Sequence, residues 1–127
     1  MKGKKMSAVT KILKRAREKV ADGWIQHRGV SDDGRRVCAV MAINQAFCEL
    51  ANYGEIDATG PDGVRVPDLA NDAGGQLMVA IIEQFPTHDS SFQWPGIPLW
   101  NDFPGRTQNE VLDAFDHAIK TAEAEEK

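Results

Sequence analysis

The sequence predicts an all-α fold, a single domain of four helices, and three observations predict it. Apolar residues recur at helical spacing in four separate stretches. Ser, Thr, Gly and Pro punctuate those stretches where helix caps and stops belong. Strand-like alternation is confined to a weak pattern between Trp24 and Cys38, enough for a minor hairpin at most. A chain of 127 residues is sized for one domain, whose core needs neither disulfides nor a structural metal.

Each element has its own reasons. Residues 1–6 place Lys2, Lys4 and Lys5 around Gly3 and read as a disordered lead-in. Ser7 can cap a helix from Ala8 to about Asp22, ended by Gly23. Val9, Ile12, Leu13, Ala16 and Val20 form its apolar stripe, while Lys11, Lys14, Arg15, Arg17 and Lys19 cover the rest. Trp24 to Arg36 is a connector with a turn signal at Asp32-Asp33-Gly34. The second helix runs from Val37 to Asn52 and is stopped by Gly54. Its start, Val37 to Ile43, is apolar almost all round, which predicts burial on several sides.

Glu55 to Pro67 is a loop around Gly60-Pro61-Asp62-Gly63. The third helix carries Leu69, Ala70, Ala73, Leu77, Met78, Ile81, Ile82 and Phe85. Gly74 and Gly75 weaken its first half by about 1 kcal/mol each. The firm part is therefore Gly75 to Phe85, ended by Pro86; alternatively the glycines let another helix approach closely. Thr87 to Gly105 is a long loop holding Phe92, Trp94, Trp100 and Phe103. Thr107 and Glu110 form a capping box that opens the fourth helix. Val111, Leu112, Phe115, Ala118, Ile119 and Ala122 are its stripe. Glu123, Glu125 and Glu126 are ill-placed for the helix dipole and predict a frayed acidic end.

Composition bounds the function. Hydrophobic content of 42% with 27% charged residues is ordinary for a soluble globular protein. The longest apolar run, Val37 to Ile43, is too short to cross a bilayer, and the N-terminus has no signal-peptide pattern. A bacterial cytoplasm is the expected location. Cys38 and Cys48 on one helix lie ~15 Å apart, too far for a disulfide, as suits a reducing compartment. No CxxC, HxxxH or HExxH occurs, so neither a zinc site nor any other cofactor is expected. The net charge of −4 hides a split. Residues 1–36 hold eleven Lys/Arg against four Asp/Glu, a balance of +7, and residues 37–127 hold four against fifteen, a balance of −11. Such a split predicts a basic face that meets something acidic: nucleic acid, another protein, or the chain's own C-terminal half.

The densest local pattern is Trp100-Asn101-Asp102, Pro104-Gly105-Arg106-Thr107, Glu110-Val111-Leu112, Phe115-Asp116 and Ala118-Ile119. It resembles the C-terminal "WND-x-PGRT-x-x-EVL-x-x-FD-x-AI" element of a family of small uncharacterised proteins from actinobacteria and their phages. Trp24 and Cys38 match that family more loosely. The resemblance implies a phage or host context and a mostly helical fold, and no activity. Physically, Asn101 and Asp102 can bond nearby backbone donors, Trp100 can plug the core, and Arg106 can pair with Asp102. As a ligand site, Trp100, Asn101, Asp102 and Arg106 would instead favour an anion at the helix start.

Three other constellations bear on function. Cys38, His27 and Asn101 or Asp102 are the residue types of a thiol hydrolase, although Cys38 in an apolar run reads first as a small buried hydrophobe. Asp113 and His117, four apart, could share a metal but fit an exposed helix-surface contact better. The basic first helix could follow a phosphate backbone. Its lysines, however, are not interleaved with aromatics, and no nucleic-acid signature is present, so nucleic acid is the weaker partner. The expected function is a non-enzymatic, phage-type accessory protein that binds a host protein. Lys11, Lys14, Arg15 and Lys19 would engage an acidic surface on that protein or on a second copy of this chain. A sponge or sensor for a small anion, and a Cys38-dependent enzyme, are the alternatives.

Overall fold

A computed structural model describes residues 7–85 and 96–126. The expected lead-in at 1–6 and the loop residues 86–95 lie outside the described residues. The fold is all-α, with five helices among the described residues: α1 Ala8–Asp22, α2 Ala39–Asn52, α3 Asp68–Gln84, α4 Ile97–Asp102 and α5 Gln108–Glu125. Helix α1 packs against α2, α3 and α5; α3 also packs on α5, and the short α4 rests on α2 and α3.

Helix α1 forms where its stripe demands. Ser7 Oγ accepts the Thr10 N–H as an N-cap, and Ile12, Leu13, Ala16 and Val20 are fully buried. Gly23 follows it, and the position takes glycine for a steric reason: a Cβ there would lie 2.5 Å from the Arg35 carbonyl oxygen. The connector that follows is pinned without forming a regular strand. Trp24 bridges Val37 in parallel and Val30 bridges it antiparallel. The minor hairpin expected near 24–38 is therefore reduced to isolated bridges, because both partners converge on one residue. A second bridged turn, Thr59 to Arg65, closes the loop around Gly60-Pro61-Asp62-Gly63, with Gly60 N donating to Val64 O at 2.7 Å.

Helix α2 starts two residues later than expected. Val37 is spent on the bridges, and Cys38 is the N-cap, its Sγ accepting the Met41 N–H at 3.4 Å. Its burial is one-sided: Ala39, Ala42, Ile43, Ala46, Phe47 and Leu50 are buried, while Val40 and Met41 are half-buried and Asn44 is exposed. Helix α3 runs straight through Gly74 and Gly75, starting seven residues earlier than its expected firm part. Burial of Ala70, Ala73, Leu77, Ala80 and Ile81 outweighs the glycine penalty. Close helix approach does not explain these glycines: a Cβ at Gly74 would meet Ile97 at an ordinary 4.0 Å, and one at Gly75 would meet nothing.

The stretch expected as loop up to Gly105 contains α4, a fifth helix with Pro98 in its first turn. Helix α5 opens with the expected capping box: Thr107 Oγ1 accepts Glu110 N–H at 3.1 Å, and Glu110 Oε1 accepts Thr107 N–H at 2.9 Å. The far end of α5 is helical to Glu125 and meets the start of α1. Glu126 Oε1 accepts from Ser7 N (2.8 Å) and Thr10 Oγ1 (2.6 Å), which sets a carboxylate at the N-terminus of α1.

Candidate functional site

The Trp100-Asn101-Asp102 segment forms α4 and is mostly interior. Trp100 and Asn101 are fully buried. Asn101 joins three parts of the chain. Its Oδ1 accepts from Trp24 Nε1 (2.8 Å) and Ala39 N (3.1 Å), and its Nδ2 donates to Ile25 O (3.2 Å) and Asp102 Oδ1 (2.9 Å). One amide thus holds the connector, the start of α2 and α4 in register. Asp102 Oδ1 also accepts the backbone N–H of His27 at 2.8 Å, which holds His27 in a left-handed conformation (φ 68°). Gln26 Nε2 donates to Asn101 O and Phe103 O, each at 3.0 Å.

Arg106 does not pair with Asp102. Its guanidinium stacks 4.4 Å from the Trp100 ring and 4.8 Å from the Phe85 ring; Nε donates to Trp100 O at 3.0 Å, and Nη1 lies 3.5 Å from Glu110. Burial pushes the guanidinium below its ordinary range, and the Glu110 carboxylate works against that shift. Asn101 and Arg106 are thus engaged within the chain, and the fully buried Trp100 offers a ligand no exposed surface. Sequence reasoning missed Trp24 and Gln26 as partners of this segment, because the hydrogen bonds span more than seventy residues.

A cavity of about 210 Å³ beside this hub is lined by His27, Arg28, Cys38, Asn101 and Asp102, among others. The structure thus brings together the residue types of a thiol enzyme from three distant segments. Cys38 is half-buried rather than fully buried in the core, since it caps α2 instead of lying inside it. No hydrogen bond joins its Sγ to an imidazole among the described residues; the Sγ accepts from Met41 N. His117 contacts α3. His117 Nε2 lies 2.9 Å from Glu83 Oε1, and no group of three or more potential metal ligands occurs among the described residues.

The basic face of α1 turns onto the chain's own acidic residues. Lys14 Nζ is 2.9 Å from Glu123, Arg15 is 3.1 Å from Glu49, Lys19 pairs with Glu49, and Arg17 pairs with Asp116. Lys11 Nζ donates to Glu55 O at 3.0 Å. Burial alone would raise the Glu49 carboxyl, but hydrogen bonds from Lys19 and Arg15, with their charges, outweigh it and hold the group below the usual carboxylate range. A depressed folded-state value contributes stability above the unfolded-state value, and that stability is lost as pH falls through the folded one. Glu49→Gln is therefore expected to lower stability near pH 7 and to flatten the acid limb of the stability profile below about pH 4. Denaturant melts across pH would check this; an unchanged acid limb would refute the role of Glu49.

A larger open concavity lies elsewhere. A trough of about 720 Å³ runs between α3 and α5 and reaches the start of α1. Val9, Val79 and Ala122 supply its apolar surface, and Asp72, Glu125 and Glu126 supply its charge. Gln76 Nε2 donates to Glu125 Oε1 at 2.7 Å and ties its two long walls together. No Lys or Arg is among the described residues lining it. The trough escaped the sequence reading, which placed Ser7, Val9, Ala122, Glu125 and Glu126 only as cap, stripe and acidic end, because each of the three helices contributes only a few residues. The one legible signal was Val79, an apolar residue off the α3 stripe and half-exposed at 49%.

The chain belongs to the family of unknown function DUF6197, which matches residues 5–121. No curated protein and no solved structure matches it. No helix among the described residues is long and apolar enough to cross a membrane.

Proposed function

We propose that the protein is a non-enzymatic accessory domain, of the phage type its C-terminal element resembles. In this reading it acts in the bacterial cytoplasm by binding a host protein through the trough between α3 and α5. The carrying observation is the trough itself, which combines apolar side chains with an acidic rim. Asn71, Asp72, Gly75, Val79 and Glu125 line it and are exposed, so it is a channel open along its length. A small ligand needs a concavity that covers most of its surface, whereas an extended or helical segment fits an open channel. The reading moves the docking surface away from Lys11, Lys14, Arg15 and Lys19. Their charges or donors are engaged within the chain, and a partner would have to displace those contacts.

A second reading, thiol chemistry at Cys38, is favoured by the cavity Cys38 shares with His27 and Asp102. One experiment addresses both. A photo-crosslinking residue placed at Val79, and in a control at the exposed Tyr53 outside the trough, is activated in living cells. The expected result is a discrete protein adduct from position 79, absent from position 53 and unchanged by Cys38→Ser. No adduct at 79, or the same adducts from both positions, would overturn the docking reading. Loss of the adduct with Cys38→Ser would favour the thiol reading.

A further inference from the structure

Resting on the reading of the trough as a docking surface, we infer the chemistry of its occupant: a Lys/Arg-rich amphipathic segment of the partner protein. Its apolar side chains would sit on Val79 and Val9, and its cations would face Asp72 and Glu125. The argument is one of unmatched charge. Several acidic side chains outside the trough meet cations of the same chain: Glu49 meets Lys19 and Arg15, Glu123 meets Lys14, Asp116 meets Arg17, and Asp32 meets Arg28. The trough's described lining offers its own carboxylates no Lys or Arg. Asp72 has no hydrogen-bond or ion-pair partner among the described residues, and the side-chain contact of Glu125 is with the neutral amide of Gln76. Glu126 is held by Ser7 N and Thr10 Oγ1, which fixes its carboxylate at the mouth.

The apolar component sets what lies between those charges. Val79 is half-exposed, and Gly75, one turn before it on α3, leaves open space above the helix backbone. A branched or linear aliphatic side chain fits there against Val79. An acidic segment would bring like charges to Asp72 and Glu125 with no cation among the described lining residues to relieve them. A purely apolar segment would leave both carboxylates against a surface that cannot solvate them.

The test is fluorescence anisotropy with a short fluorescein-labelled amphipathic peptide of Leu and Lys, against its Leu-and-Glu counterpart. The Leu–Lys peptide is expected to bind and the Leu–Glu peptide not. Asp72→Lys and Glu125→Lys are each expected to weaken binding about 5- to 10-fold, with association slowing as salt rises. Glu55→Lys makes the same change in net charge at an exposed site outside the trough and is expected to leave binding within about 2-fold. Thermal melts of each variant confirm folding. Equal weakening by Glu55→Lys would show attraction to net charge alone and overturn the proposal. Lys2, Lys4 and Lys5 precede Ser7, a residue of the trough. If replacing those three with Ala tightens peptide binding 10-fold or more, the trough's occupant is the chain's own N-terminal segment, and the proposal also falls. Adducts at Val79 without any preference for the basic peptide would leave the docking surface in place and overturn only the basic occupant.

Discussion

Trp100→Ala is expected to lower the stability of the domain by about 3–5 kcal/mol, the range for deleting a large aromatic ring from a packed interior. The ring is fully buried, meets Phe85 edge-on with centroids 5.2 Å apart, and carries the Arg106 guanidinium on its face. Removing it opens a cavity and also strips Arg106 of the surface that offsets its desolvation. Trp100→Phe separates these effects. The Trp100 Nε1–H is buried with no hydrogen-bond partner among the described residues, so the smaller ring removes a desolvated donor along with some packing. The phenylalanine variant is expected to lose about 1–2 kcal/mol, well short of the alanine variant. Urea melts of the three proteins measure this. An alanine variant as stable as the parent would show that α4 does not hold the core.

Asn101→Ala is expected to be nearly as damaging, although it removes only an amide. Trp24 Nε1 and Ala39 N lose their acceptor, and Ile25 O loses a donor. Ala39 N is left buried and unsatisfied, at about 1–3 kcal/mol, and the part-buried Trp24 Nε1 and Ile25 O add a smaller share, so a loss of about 2–4 kcal/mol follows. Asn101→Asp probes the same hub by pH. It keeps the acceptor for Trp24 and Ala39 but loses both donors, and it sets a second carboxylate against Asp102. Burial and that neighbour raise the introduced carboxyl above its unfolded-state value. A raised value means stability present below the unfolded-state value and lost as pH rises through the folded one. The deficit of Asn101→Asp against the parent is therefore expected to shrink as pH falls from 7 toward 4. A deficit independent of pH would show that the hub tolerates charge.

The local code of this chain sufficed for the elements that bury their own periodic stripe. Helices α1 and α5 were legible to within a residue at their starts, because Ser7 and Thr107 cap them and every third or fourth residue behind the caps is apolar. The all-α class followed from the same periodicity. Helix α4 was not legible: six residues with a proline near the start have no stability in isolation, and α4 exists because Trp100 and Asn101 are buried against other segments. Helix α3 was cut short in the sequence reading because the glycine penalty is local and visible, whereas the burial of Ala70 and Ala73 that overrides it is neither.

The charge split shows the same division. Sequence alone established that the first 36 residues are basic and the rest acidic. Only the tertiary structure decided where those charges go. Arg17 finds Asp116 and Lys14 finds Glu123 about a hundred residues away, while Asp72 and Glu125 are left facing a trough that holds no cation among its described residues. Periodicity and capping act over a few residues and are written in the order of the chain. Charge pairing, the Asn101 hub and the trough arise from contacts between distant segments, whose geometry exists only once the helices have packed.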